Sequence, residues 1–154
     1  RSRGLGDVYK RQTYKHLIAN NMEFERKSAH GIIDENTLRD LYLRVFDKAF
    51  SLYKPGCVMT SYNPVNGIYP CENSALLNDL LRGEWGFDGF VMTDWGSYDT
   101  ADSIRSVCAG TNLLTPGSKK HFRMILKAIK RNEISKAALQ HSVKQIVKVL
   151  VRCI

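Results

Sequence analysis

The hydrophobic positions of this chain follow two patterns that alternate along the sequence. The first is a short run that is apolar throughout, which is typical of a parallel strand buried on both faces. Such runs predict strands over residues 15–20, 57–62 and 90–94, and a weaker strand over residues 109–114. Polar loops or turns follow these runs, and longer segments with a helical pattern lie between them.

The second pattern has apolar residues three and four positions apart, which predicts amphipathic helices. The clearest helix covers residues 35–53, with Asp34 as its N-cap and Lys54-Pro55-Gly56 at its end. Further helices are predicted at residues 73–81, at residues 100–107, and on either side of Asn132-Glu133. Strands and helices therefore alternate through most of the chain.

This alternation indicates βα units, and hence an α/β fold with a parallel sheet covered by helices. The sheet could remain open or close into a barrel. The G-x-G-x-x-G turn of a dinucleotide-binding sheet is absent, and polar residues follow several strands, at Asn20, Tyr62 and Asp94. Functional side chains from many strand ends favour a barrel, but a (β/α)8 TIM-type barrel needs about 250 residues, so this chain corresponds to roughly half of one.

Composition excludes several classes of protein. Hydrophobic residues make up 44% of the chain and charged residues 25%, so a core can form. The sequence contains no run of about 18 apolar residues, so no membrane span is predicted. The amino terminus lacks the apolar stretch of a secretory signal, so either the protein is not exported or its true start is missing. The net charge of +8 could indicate a nucleic-acid partner, but much of the excess lies on two helices where Lys and Arg recur between apolar residues, as on solvated helix faces, so none is expected.

The cysteines and histidines predict no metal or redox chemistry. Cys57, Cys71, Cys108 and Cys153 form no C-x-x-C pair, and reduced thiols weakly favour a cytoplasmic location. The histidines show no metal-ligand spacing. Neither a G-x-S-x-G elbow nor a phosphate-binding glycine loop is present. We therefore expect neither a metal nor a cofactor.

The most informative segment is the strand at residues 90–94, which ends in a carboxylate followed by an indole. Folds of the α/β class place their chemistry at the carboxyl ends of such strands, so Asp94 is the first candidate for a catalytic group. The alternative is an Asp that caps the next helix through backbone N–H groups. The local sequence supports these two interpretations about equally.

Other residues near the strand ends suit recognition of a polyol. Lys15 and His16 could both bind hydroxyls if a bulge or loop turned them to one side, and the alternative is a surface Lys beside a half-buried His. Tyr62, on the same strand as Met59, could hydrogen-bond a nearby carboxylate, or could be an aromatic at the rim. Trp95 offers a flat platform for the C–H face of a sugar, and its alternative is a core anchor.

Several blocks of the sequence resemble motifs of glycoside hydrolase family 3, in the order in which that family carries them. Residues 15–26 resemble its K-H-F-x-x-N-x-Q-E-x-x-R block, and residues 34–43 are similar to its D-E-R-T-L-R-E-I-Y-L helix. Residues 58–67 resemble V-M-x-S-Y-N-x-x-N-G, and residues 80–95 resemble the nucleophile block almost without change. The similarity covers residues 13–117 and, more loosely, the closing helices.

The resemblance implies the two-domain β-glucosidase type. Such a protein is a retaining enzyme that cleaves the terminal β-glycosidic bond of a small β-glucoside or β-xyloside through a glycosyl-enzyme. Asp94 would be the nucleophile. The residues that would surround the sugar are Lys15, His16, Met59, Tyr62 and Trp95.

The resemblance also implies which part of the family's structure this chain represents. Residues 13–154 correspond to the carboxyl-terminal half of the barrel domain, without its first half and without the following α/β sandwich domain that carries the acid/base Glu. Residues 1–12 match nothing in the family and are interpreted as a non-native adaptor or assembly scar. Asn112 stands at a position that is acidic in the family's pattern. We expect the isolated chain to be inactive, and the alternative is a non-catalytic carbohydrate-binding remnant.

Overall fold

The computed structural model describes residues 12–153 and contains a sheet of three parallel strands interleaved with helices. The strands are hydrogen-bonded in the order of the sequence. They are β1 (Thr13–Leu17), β2 (Cys57–Thr60) and β3 (Phe90–Met92). Beyond β3, Leu113 forms an isolated parallel bridge with Met92. The α/β class is confirmed, and the predicted fourth strand is reduced to this bridge.

The helices cover the sheet and follow its strands. The first, α1, spans residues 35–52 and joins α-helical turns at Glu35–Thr37 and Arg44–Leu52 through a π-helical segment at Leu38–Leu43. The others are α2 (Ala75–Glu84, π-helical), α3 (Ser103–Cys108), α4 (Lys119–Lys130) and α5 (Lys136–Cys153). Short 3-10 turns lie at Pro70–Glu72 and Ser97–Asp99.

Side-chain caps fix where the helices begin. Asp34 Oδ1 accepts a hydrogen bond from the Thr37 amide at 3.0 Å, so the predicted N-cap of α1 is confirmed. Asn73 accepts from the Leu76 amide at 3.0 Å at the start of α2. The cap of α3 is Asp102, later than the start predicted near residue 100. Each cap satisfies backbone donors that the first helical turn leaves without partners.

The core lies between the sheet and the first two helices. Val58 of β2, Val91 of β3 and Leu77 and Leu81 of α2 are all 0% exposed. Full burial of an aliphatic side chain of this size contributes roughly 1.5–3 kcal/mol. A Cβ at Gly89 would collide with the backbone of the segment that precedes β2, so only glycine fits where β3 begins.

Residue 112 joins the beginning of β3 to two helices. Asn112 Oδ1 accepts from the Val91 amide at 2.7 Å and from Arg82 Nη2 at 2.9 Å. Its Nδ2 donates to Ser142 Oγ of α5 at 2.9 Å. The amide therefore makes the contacts that tie α2, β3 and α5 together.

The described sheet does not close on itself, so the barrel remains a prediction for the region that this chain represents. Exposed apolar side chains occur on the first and the last helix, at Leu41 and Val45 of α1 and at Val143 and Val147 of α5. Among residues 12–153, no helix is long and apolar enough to cross a membrane.

Candidate active site

The candidate site lies at the edge of the sheet where the parallel strands end. Because the strands run in one direction, the residues that follow them meet at the same edge. His16 lies near the end of β1, Tyr62 follows β2, and Asp94 follows β3. The strand β3 ends at Met92, so Asp94 belongs to the loop beyond it rather than to the strand as predicted.

The carboxylate of Asp94 has one oxygen bound by the backbone and the other facing a histidine. Oδ1 accepts a hydrogen bond from the amide of Trp95 at 2.7 Å. Oδ2 lies 3.4 Å from His16 Nε2. The Asp94 side chain is 13% exposed, so it is shielded by its neighbours yet still open to solvent.

Asp94 does not cap a helix. The 3-10 turn at Ser97–Asp99 is preceded by Gly96 and has no side-chain cap, and α3 is capped by Asp102. The backbone carbonyl of Asp94, not its side chain, accepts from the Ser97 amide at 3.2 Å. The capping alternative is therefore wrong for this residue, and its second carboxylate oxygen is available for other contacts.

Tyr62 is buried against the loop that carries Asp94. It is 6% exposed, and its hydroxyl donates to the carbonyl oxygen of Trp95 at 2.6 Å. Burial, and then the negative charge of Asp94, raise the pKa of Tyr62 above its usual range. The sequence suggested a hydrogen bond to the carboxylate. A side-chain hydrogen bond with Asp94 is also among the causes of the raised pKa of Tyr62, and the bond to the neighbouring carbonyl anchors the backbone beside the carboxylate as well.

Trp95 and Met59 occupy different environments. Trp95 is 63% exposed, which excludes the core-anchor alternative because a core indole would be buried. Met59 is partly buried on β2 and pairs in register with Met92 on β3. The structure thus leaves the Trp95 indole open to a ligand, and the role of Met59 in a sugar subsite stays a prediction.

Lys15 and His16 lie where β1 is irregular. The pairing of β1 with β2 shifts register between Tyr14 and Leu17. Lys15 and His16 both line an open groove that is also lined by Tyr42. The lining of this groove does not include Asp94, so a shared sugar-binding role of Lys15 and His16 stays a prediction. His16 additionally approaches Asp94, whereas Lys15 is exposed.

Two basic residues that sequence reasoning did not assign to the site also reach Tyr62. The guanidinium carbon of Arg26 lies 4.8 Å from the centroid of the Tyr62 ring, and Lys27 Nζ lies 5.4 Å from it. Both distances suit cation–π contacts. Arg26 closes the first motif block, which was a usable signal, but Lys27 lies outside any motif. Both belong to a loop without periodicity, so their direction could not be predicted.

Within the described part of the chain, no group of three or more His, Cys, Asp or Glu side chains could hold a metal ion. The Cys71 thiol is buried, and burial raises its pKa to about 11. That thiol therefore stays protonated near neutral pH and is a poor nucleophile.

Comparison with known proteins assigns the chain to a family. Residues 3–149 match the model of the glycosyl hydrolase family 3 N-terminal domain. The chain therefore belongs to glycoside hydrolase family 3, as its motifs predicted. The match begins within the segment interpreted as an adaptor; residues 1–11 lie outside the described residues, so that interpretation stays a prediction.

The relatives carry consistent names. The probable beta-glucosidase J of Aspergillus fumigatus is 39% identical over 141 residues, which are 90% of this chain and 16% of that protein. The beta-glucosidase of Rhizobium radiobacter is 39% identical over 142 residues, which are 91% of this chain and 17% of that protein. The solved structure of beta-glucosidase 3B from Thermotoga neapolitana in complex with glucose is 38% identical, with a TM-score of 0.85, over 91% of this chain and 20% of that one. The chain thus spans less than a fifth of the curated relatives named here.

Proposed function

We propose that the protein containing this sequence is a retaining β-glycosidase in which Asp94 is the nucleophile. The observation that carries the proposal is the position of Asp94 at the carboxyl edge of a parallel sheet, with Oδ2 lying 3.4 Å from His16 Nε2. The names of the relatives, and the glucose complex of one of them, favour a β-glucoside over a β-xyloside as substrate.

The reaction follows the two-step course of retaining glycosidases. An oxygen of Asp94 attacks the anomeric carbon, the bond from that carbon to the leaving oxygen breaks, and a glycosyl ester forms on the carboxylate. The leaving oxygen takes a proton from a general acid. Water then attacks the anomeric carbon and gives a proton to the group that had acted as the acid, the ester bond to Asp94 breaks, and the sugar leaves with its original configuration.

The contacts of Asp94 suit this role. The Trp95 amide holds Oδ1 at 2.7 Å, which orients the carboxylate and leaves Oδ2 to react. His16 Nε2 can donate to Oδ2 or to a sugar hydroxyl beside it. Tyr62 is a neutral phenol near neutral pH, and burial and the charge of Asp94 raise its pKa further, so it adds no second negative charge next to the nucleophile.

The remaining residues of the proposed subsite bind the sugar itself. Lys15 provides a three-donor ammonium for hydroxyls, and Arg26 offers further donors beside the Tyr62 ring. The exposed Trp95 indole stacks on the C–H face of a pyranose. Met59 contributes an apolar surface at the end of β2.

The acid/base carboxyl is not among these residues, so we propose that the isolated chain is inactive. General acid–base assistance is worth about 10²–10⁴-fold in rate. The rate of hydrolysis of an aryl β-glucoside should be measured for the isolated 154-residue chain and for the full-length protein that contains it. Comparable turnover by the two would refute the claim of inactivity without touching the assignment of Asp94.

The assignment of Asp94 is tested by trapping. The protein in its native reading frame should be incubated with an activated 2-fluoro-β-glucoside, digested, and mapped by peptide mass spectrometry. We expect a 2-fluoroglucosyl ester on the peptide that contains Asp94, because the fluorine slows the second step and the ester accumulates. The Asp94→Asn variant should give no label.

A matched control is Asp79→Asn, which removes an exposed carboxylate from α2 and should leave labelling unchanged. Label on a different carboxylate would overturn the assignment. Saturable glucose binding in a calorimeter without any label would favour the alternative, a non-catalytic carbohydrate-binding protein.

A further inference from the structure

A lysine outside the motif blocks belongs to one loop of the site and contacts another loop through its side chain. Lys27 lies in the loop after β1, which we call the 20–33 loop. Its side chain ends against residues 94–99, the segment that carries Asp94 and Trp95, which we call the nucleophile turn. The sequence places these two segments far apart, so the contact exists only in the folded protein.

Lys27 holds the nucleophile turn by two polar contacts. Its Nζ donates to the carbonyl oxygen of Gly96 at 3.3 Å and to Asp99 Oδ2 at 2.9 Å. The Tyr62 hydroxyl donates to the carbonyl of Trp95 at 2.6 Å. Consecutive carbonyls of the nucleophile turn are therefore bound by Tyr62 and by Lys27.

The backbone of the turn has little freedom at this point. Gly96 has a φ of +77°, which glycine adopts without strain. A Cβ there would lie 3.3 Å from Asp99 Oδ2 and 3.4 Å from Lys27 Nζ, so the clamp closes tightly over the glycine. From the other side, the Gly96 amide donates to the carbonyl of Thr115 at 2.9 Å. The peptide planes around Gly96 are thus fixed on both sides.

The backbone of Lys27 is itself anchored. The Tyr69 hydroxyl donates to its carbonyl at 3.3 Å, and the turn that contains Lys27 is closed by hydrogen bonds from the Ser28 and Ala29 amides to the Glu25 carbonyl, each at 2.8 Å. The ammonium is therefore delivered from a defined backbone position.

The ion pair contributes little to folding. The Lys27 and Asp99 side chains are 37% and 60% exposed, and exposed pairs stabilise proteins only weakly. What the contact does is fix geometry, because its partner atoms lie directly beyond Asp94 and Trp95. A small displacement of a reacting group costs far more in rate than such a pair contributes to stability.

We propose that Lys27 is a positioning residue for the nucleophile: through the Gly96 carbonyl and Asp99 it holds the nucleophile turn so that Asp94 Oδ2 remains directed at His16 and at the sugar. The proposal rests on the function proposed above. It assigns Lys27 no contact with substrate and no part in proton transfer.

The test separates rate from affinity in the trapping reaction. In the protein in its native reading frame, Lys27→Met keeps the length of the side chain and removes its donors. We expect the first-order rate constant for inactivation by the 2-fluoro-β-glucoside to fall about 10- to 100-fold, because a displacement near 1 Å costs about that much. The inhibitor's dissociation constant should change less than about threefold, since the sugar ligands are untouched.

Rescue and control variants sharpen the test. Lys27→Arg keeps a cation that can donate to both Gly96 and Asp99, and it should recover most of the rate. Asp99→Asn should lower the rate less than Lys27→Met, since the bond to Gly96 persists. Lys120→Met removes an exposed lysine from α4 and should have no effect.

The outcomes are distinct. An inactivation rate constant for Lys27→Met equal to that of the wild type overturns the positioning role while Asp94 labelling stands. A rise in the dissociation constant alone also overturns it, because Lys27 would then bind sugar. If Lys27→Met does not fold, the inactivation rate constant of Asp99→Asn is the test. A value equal to that of the wild type counts against the proposal. A wild-type protein that takes no label overturns this proposal together with the proposed function.

Discussion

Replacing Asn112 by Asp is expected to stabilise the protein, because it gives the partly buried guanidinium of Arg82 a charged partner. Within the described residues, the hydrogen bonds of Arg82 go to neutral acceptors: the carbonyls of Gly89 and Gly110 at 3.0 and 3.4 Å and Asn112 Oδ1 at 2.9 Å. Burial lowers the pKa of Arg82, an effect that the charge of Asp88 partly opposes. A carboxylate at position 112 restores the acidic residue of the family's pattern.

The magnitude follows from the contacts of Asn112. A hydrogen bond to a charged acceptor contributes about 1.5–3 kcal/mol, against about 0.5–1.5 kcal/mol for a neutral pair, and desolvation of the new carboxylate offsets part of the gain. The Ser142 hydroxyl now accepts from Asn112 Nδ2 and can rotate to donate instead, so that contact survives. We expect a net stabilisation of about 1 kcal/mol, which is roughly fivefold in an opening equilibrium.

The assay is hydrogen exchange followed by mass spectrometry. The Val91 amide donates to Asn112 Oδ1 at 2.7 Å, so a peptide containing it reports on this contact whatever the length of the protein. Protection of that amide should rise about fivefold at neutral pH. The gain should be lost in acid, because the introduced carboxylate has a lowered pKa when folded and stabilises only while ionised.

A matched control is Asn78→Asp, which introduces the same charge where a donor is required. Asn78 Nδ2 donates to the Ala109 carbonyl at 3.0 Å, and a carboxylate cannot replace that donor. This variant should reduce protection near α2. Unchanged or reduced protection of Val91 in Asn112→Asp would show that the Arg82 guanidinium is already well solvated, and the reasoning from burial would fail.

The remaining predictions concern the site and one ion pair. Tyr62→Phe leaves the Trp95 carbonyl without its donor, and should cost about 1–3 kcal/mol in urea denaturation and slow trapping at Asp94. Trp95→Ala should raise KM for aryl glucosides while changing stability by less than about 0.5 kcal/mol, because the indole is exposed. Hydrogen bonds from Arg152, and then from Lys148, lower the pKa of Asp88. Its contribution to the free energy of unfolding is therefore present above about pH 4 and is lost as pH falls further. Asp88→Asn should flatten the acid side of a stability–pH profile by less than about 1 kcal/mol, since the groups are partly exposed.

Each of these predictions has an outcome that contradicts it. Unchanged stability of Tyr62→Phe would mean that water replaces the phenol at the Trp95 carbonyl. A large loss of stability in Trp95→Ala would indicate that the indole packs against other parts of the protein. An unaltered acid limb in Asp88→Asn would show that its ion pairs with Lys148 and Arg152 are screened completely.

Some expectations depended only on local chemistry, and the structure bears those out. The cap at Asp34 and the length of α1 follow from side chains within a few residues of one another. The placement of Asp94 beyond a buried strand follows from an apolar run that ends at a polar residue. The exact strand ends differed, because β3 stops where its pairing with β2 stops, and the partner strand decides that.

The sequence by itself determined the class of fold, the order of its elements, the family, and the choice of Asp94 as the residue to test, since periodicity, caps and motif spacing act over short distances. The tertiary structure decided which groups surround that carboxylate. The bond from Tyr62 to Trp95, the clamp of Lys27 on Gly96 and the turn of His16 towards Asp94 join segments that are distant along the chain. Loop closure and the packing of the helices bring these segments together, and no local pattern encodes the resulting directions.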